Sequence, residues 1–236
     1  MNYSVRTHPR ARHVRLRVEP HGALVVTVPR GFDRRQLPVL IAEREPWINA
    51  TRARLASARP AADLGGLMPK RIELPAVGEC WLLRYRPQAA GRPGLVEGNG
   101  ELRVDCPAEQ AGPAVAALLR AWLKRRATGA LLPRVQCLAE QHGFRYGKIT
   151  IRNQKSRWGS CTACGNLSLN ARLLLLSAAA CDYVLLHELV HTEHLDHSPA
   201  FWARVAEVAP EYQSAKQELK AAWLAMPSWV WAQTVA

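Results

Sequence analysis

Residues 182–202 read DYVLLHELVHTEHLDHSPAFW, and the span from His187 to His197 holds four of the eight histidines of the chain. Ser177 is a good N-cap, and the apolar run from Ala178 onward predicts a helix that carries the first of them. His187 and His191 are four residues apart on that helix. Their imidazoles therefore share one face, separated by about 6 Å along the axis, and can share one ion. Glu188 follows the first histidine directly. This is the HExxH order, in which the glutamate addresses water at the ion rather than the ion itself.

A hydrolytic zinc site takes three protein ligands and keeps one position open, so a third ligand is required: His194, His197, or an acid further on such as Glu207 or Glu211. His194 lies on the same helix face but about 10 Å up the axis from His187, too far to close on the same ion while the helix is straight. His197 converges only if the chain reverses. Ser198 as N-cap, Pro199 at the first helical position and the apolar pattern of PAFWARVAEV predict a new helix there, which requires the first to end near Leu195. The reversal favours His197 and leaves His194 on the rim. A neutral three-histidine set with an adjacent glutamate suits catalysis better than a purely structural zinc.

Upstream of this segment, KITIRNQKSRWGSCTACGNLSLN (148–170) reads as strand, turn and returning strand. The N-terminal stretches HVRLRVE and ALVVTVP alternate at period two about PHG, predicting a hairpin. Asp33 then caps a helical stretch and Pro46 begins a second one, while RIEL, CWLLRYR and ELRVD read as short strands separated by turns rich in Gly and Pro. From about Ala108 the pattern is helical: AVAALLRAWLKRRATGALL, then RVQCLAEQHGF beyond Pro133. The expected class is α+β, with a β-rich region at 1–106 built on a small antiparallel sheet with one or two helices, and a second region at 107–236 that carries the histidines.

The chain has 236 residues, 48% of them hydrophobic, enough for a sizeable core. No run approaches the roughly 18–20 apolar residues that span a bilayer, and the N-terminal stretch lacks the apolar core of a signal peptide, so a cytoplasmic setting is expected. Six scattered cysteines are expected to be reduced thiols. Cys161 and Cys164 form a CxxC without the second pair that a zinc ribbon needs. The net charge is +13, and residues 1–60 alone hold twelve arginines against four acids. Such a basic region attracts phosphate, so nucleic acid joins the expected partners beside a solvated face with none, although no zinc-finger, helix-turn-helix or RNA-recognition signature is present.

IRNQKSRWGSC, LSLNARL, DYVLLHELVH and DHSPAFW resemble, in this order and spacing, the YgjP-like zincin metallopeptidases. The resemblance is densest from Lys148 to Trp202 and weaker over the N-terminal arginines and PEYQSAKQELK. It implies that His187, His191 and His197 ligate one zinc ion per chain, that Glu188 is the catalytic acid/base, and that the active-site helix lies beside a small antiparallel sheet, as in zincins. Two departures are visible: Ala171 stands where the family has an aromatic residue, and Cys164 completes a CxxC that the family does not require.

The activity implied is metal-dependent hydrolysis of polypeptide. Arginine and zinc together also suit a nucleoside triphosphate or another phosphoanhydride, and a nucleic-acid-associated protein with a metal site is a third reading. Imidazoles also accept cobalt, nickel or copper. Tyr183, Arg157 and Ser160 are candidates for stabilising an oxyanion, and NLSLN is the strand expected to pair with an extended substrate. The tryptophans at 223, 229 and 231 are expected to pack in the core, or to form a lid or contact surface.

Overall fold

The apolar residues of Tyr3–Thr7 (β1), Arg15–Val18 (β2) and Leu24–Val28 (β3) alternate onto one face, and the three strands pair in the order β1-β3-β2. The β2–β3 pairing is the antiparallel hairpin expected, whereas β1 joins β3 in parallel, a long-range pairing without a local turn signal. Asp33 accepts a hydrogen bond from the Arg35 amide and starts a 3₁₀ turn that leads into Leu37–Glu43 (α1) and Glu45–Ser57 (α2). Leu24, Val26, Val28, Leu37, Ile41 and Ile48 form the core here. Each such side chain contributes about 1.5–3 kcal/mol relative to exposure.

The computed structural model describes residues 3–19, 22–57 and 66–232. The chain divides into two compact units, 1–62 with 223–225, and 63–222 with 226–236. The sheet over residues 71–107 thus belongs with the histidines in the second unit, not with the N-terminal hairpin.

That sheet contains Arg71–Leu74 (β4), Glu79–Gln88 (β5), Gly94–Gly98 (β6) and Glu101–Pro107 (β7) in the order β4-β5-β7-β6. β6 was hidden in a stretch that reads as turn. It forms a two-residue hairpin with β7 through Asn99 (φ 37°) and Gly100 (φ 76°), both left-handed, as the type I′ turn demands. The hairpin docks by β7, which runs parallel to β5, so the sheet is mixed where an antiparallel one was expected.

Ala111–His142 (α3) is one helix of 32 residues where two segments were expected. Pro133 has no N–H to offer the Gly129 carbonyl, but burial of Leu131, Val135 and Leu138 around it holds the helix together.

Ile149–Arg152 (β8), Gly159–Cys161 (β9) and Leu167–Asn170 (β10) make a third sheet in the order β8-β10-β9. The hairpin is β9–β10 across the Thr162–Asn166 turn, and β8 lies parallel to β10. The expected strand-turn-strand overlooked β9, since GSC is too short to show alternation. This sheet is mixed too, which corrects the expected antiparallel sheet beside the active-site helix.

Four helices follow: Ala178–Val190 (α4), Pro199–Val208 (α5), Tyr212–Ala225 (α6) and Ser228–Trp231 (α7). Trp229 and Trp231 are buried, and Arg172 lies 3.8 Å from the centre of the Trp231 ring. Seven α-helices and three small mixed sheets among the described residues make the fold α+β, and none of those helices is long and apolar enough to cross a membrane.

Candidate metal centre

Ser177 accepts a hydrogen bond from the Ala180 amide and is itself held by the Glu218 carboxylate, which fixes where α4 begins. With one face of the helix packed on Val184, Leu185 and Leu189, His187 and Glu188 at its C-terminal end are aimed at the β9 hairpin. α4 ends at Val190, earlier than the expected Leu195, with His191 at the cap. The His194 amide still reaches the Val190 carbonyl at 2.9 Å, and a tight turn carries the chain to Asp196. Ser198 then caps α5 through the Phe201 amide, with Pro199 at its first position. This reversal brings His197 back over His187.

The ligating atoms of His187, His191 and His197 all lie within 4.8 Å of one another, the one such group of three among the described residues. His187 Nε2 and His197 Nε2 are 3.2 Å apart. Two nitrogens on a tetrahedral zinc with bonds of roughly 2.0–2.1 Å stand about 3.3–3.4 Å apart, so this separation fits one ion. The tautomers fit as well. His191 Nδ1 meets the His194 carbonyl at 2.9 Å, and a carbonyl only accepts, so Nδ1 carries the proton and Nε2 keeps its lone pair for a ligand. The Tyr183 hydroxyl sits 3.5 Å from His187 Nδ1 and orients that ring from behind.

Burial, with His191, His197 and Lys216 nearby, pushes His187 down to about 3, and burial lowers His191 too. Both imidazoles are thus neutral and able to ligate at neutral pH. Glu188 is 6% exposed, and burial pushes its carboxyl up to about 7, against the opposing pull of the Arg157 charge. Its Oε2 has no hydrogen-bond partner among the described residues. A buried carboxyl held near neutrality with a free oxygen is a proton acceptor in waiting. The three imidazoles and this carboxyl together fit a catalytic zinc.

The cleft has a volume of about 250 Å³, with the histidines and Glu188 on one side and Gly159, Ser160 and Cys161 of β9 on the other. Leu195, 63% exposed, stands at its mouth. β9 is placed by Asn170, which is fully buried. Its Nδ2 donates to the Gln154 and Arg157 carbonyls at 2.9 and 2.8 Å, and its amide donates to Trp158 O at 2.8 Å. The loop into β9 is therefore tied to the end of β10.

Other sequence candidates fall elsewhere. His194 contributes its carbonyl rather than its ring, Glu207 pairs with Arg204 at 3.0 Å, and Glu211 stands at the N-cap position of α6 without a side-chain capping bond. Tyr183 lies on the Nδ1 side of His187, away from where the three ligand atoms meet, which removes it as an oxyanion donor. Ser160 lines the cleft. NLSLN is the central strand, with both edges already paired, so it has no edge to offer a substrate; β9 has one. Trp202 stacks on His197, and Tyr212 and Lys216 of α6 pack on Trp202; no spacing in the sequence links them to the histidines, because α6 comes to Trp202 only through the tertiary fold.

A family model described as YgjP-like, metallopeptidase domain, matches residues 12–222. The chain belongs to the YgjP-like metallopeptidase family. Its family is thus one of metal-dependent peptidases, which are hydrolases. Among solved structures, the metallopeptidase zymogen of Pyrococcus abyssi abylysin is similar at 23% identity, covering 39% of this chain and 94% of that one with a TM-score of 0.35. No curated protein matches the chain.

Proposed function

We propose that this YgjP-like protein is a zinc-dependent peptidase that cuts polypeptide at the His187, His191 and His197 site, with Glu188 as the acid/base. The observation that carries this reading is the convergence of three imidazoles beside a buried carboxyl held near pH 7. Zinc bound there would supply Lewis acidity, making water a competent nucleophile at neutral pH and polarising the scissile carbonyl. Glu188 takes the proton from the attacking water through its free Oε2 and passes it to the leaving amine. Its raised proton affinity suits both halves of that exchange. The His194 carbonyl and the Tyr183 hydroxyl keep the rings of His191 and His187 in ligating orientation.

An extended substrate adds to the free edge of β9, where main-chain hydrogen bonds align it along the cleft and exposed Leu195 meets one of its apolar side chains. A cytoplasmic setting belongs to this proposal and rests on six unpaired cysteines.

The test compares the zinc-loaded wild type with Glu188→Gln on unfolded proteins, peptides and nucleoside triphosphates, following amine and phosphate release. Amine release by the wild type alone supports the proposal. Phosphate release without amine release would make the protein a phosphoanhydride hydrolase instead, and equal rates in the two proteins would remove Glu188 from the chemistry.

A further inference from the structure

A stack of aromatic rings leads from the candidate metal ligands to a cation. Trp202 lies against the His197 ring with centroids 5.7 Å apart and planes at 28°, and Tyr212 lies against Trp202 at 5.7 Å and 26°. Lys216, one turn along α6 from Tyr212, is exposed and holds its Nζ 4.3 Å from the centre of the Trp202 ring and 5.9 Å from that of Tyr212. Among the described residues no acid stands within ion-pair distance of it. Glu218, the nearest acid along α6, is engaged with the Ser177 amide and hydroxyl at 3.0 and 2.7 Å.

The faces of the two rings attract the ammonium and confine a long side chain that would otherwise sample many rotamers. That confinement holds a positive charge over Trp202, the ring stacked on the His197 ligand, beside a site that would also gather a dication, an arrangement that costs electrostatic energy unless anions offset it. Glu188 and the exposed Asp196 offset part of that charge, and Leu195 at the mouth is apolar and adds no anion. A substrate does.

We propose that Lys216 is the anion-recognising residue of this site, binding a carboxylate of the polypeptide, an Asp or Glu side chain or the terminal carboxylate, next to the bond that is cut. This assignment rests on the metal-peptidase reading above. It makes acidic stretches or chain ends the preferred substrates.

The experiment is calorimetric titration of the zinc-loaded full chain with the monohydroxamates of succinic, glutaric and adipic acids, each paired with its methyl ester. The hydroxamate anchors every probe at the metal, and only the free acids offer a carboxylate to Lys216. In the wild type at least one acid binds on the order of fivefold more tightly than its ester, the scale of a solvent-accessible ion pair. Lys216→Met keeps the apolar stem over Trp202 and abolishes that ratio while leaving the ester affinities unchanged; Lys216→Arg preserves it. A ratio of one throughout the wild-type series, or a ratio that survives in Lys216→Met, overturns the proposal. Failure of the esters and acids alike to bind would bring down the metal site, and this assignment with it. A nucleoside triphosphate that displaces the acids in a Lys216-dependent manner, at concentrations where carboxylate peptides do not, would overturn the carboxylate and put phosphate in its place.

Discussion

Gly159 and Glu188 approach so closely that a β-carbon on residue 159 would lie 2.6 Å from both Cγ and Oε1 of Glu188. The strand edge and the carboxyl are therefore fitted to each other, and only glycine allows it. Gly159→Ala must displace the Glu188 side chain from its root, since Cγ cannot swing aside as a chain end would. Displacement of about 1 Å in an acid/base costs about 100-fold in rate. We expect that loss in Gly159→Ala with zinc content unchanged, read by peptide cleavage and metal analysis on one preparation; full activity would mean that Glu188 tolerates another position.

Asn170, itself fully buried, holds the loop before β9 by donating to three of its carbonyls, those of Gln154 and Arg157 from the side chain and that of Trp158 from the backbone. Asn170→Ala strands the Gln154 and Arg157 carbonyls, at about 1–3 kcal/mol for each buried group left unsatisfied. Urea denaturation is expected to show a loss of that order, and a variant as stable as the wild type would show that the loop is held by other contacts.

In the metal-free protein Glu188 titrates near 7 when folded, against 4.5 for the free side chain, because burial disfavours its charge. The folded state thus binds the proton more tightly than the unfolded one. Its contribution to stability is fully present below about pH 4.5 and is lost as the pH rises to about 7. Glu188→Gln has no such proton to lose, so the variant should gain on the wild type across this window by on the order of 3 kcal/mol and hold that gain above it. Denaturation of both proteins in chelator at several pH values measures it. A difference that does not vary with pH would contradict the buried carboxyl.

Much of the site was legible in the sequence because its signals are local. Ser177 and Ser198 announce two helix starts, Pro199 confirms the second, and the four-residue step from His187 to His191 needs only helical geometry. His197 could be favoured over His194 because the reversal between the helices is written in a Ser-Pro pair. What escaped depends on distant partners. The parallel pairings of β1 with β3 and β8 with β10 have no turn to mark them, and the three-residue β9 shows no period. NLSLN is the strand expected to meet substrate, yet its buried residues suit the central place it takes between β8 and β9. Pro133 reads as a break but is carried through by the packing of α3. Lys216 meets the site across a separate helix, so no spacing rule links it to His197.

Zinc that binds the folded protein and not the unfolded one stabilises it by mass action, about 2.7 kcal/mol at a free concentration 100 times the Kd. We expect thermal unfolding to shift upward with zinc in the wild type, and the shift to shrink in His197→Ala, which removes one of the three imidazoles. A shift unchanged in that variant would place the ion elsewhere.

In the proposed site three imidazoles hold one zinc. X-ray absorption at the zinc edge, on protein loaded with one equivalent, tests it most directly. A shell of nitrogen and oxygen at roughly 2.0–2.1 Å with imidazole scattering from three ligands is expected, altered when His197 is replaced. A sulfur shell near about 2.3 Å would assign the metal to the cysteines and contradict it.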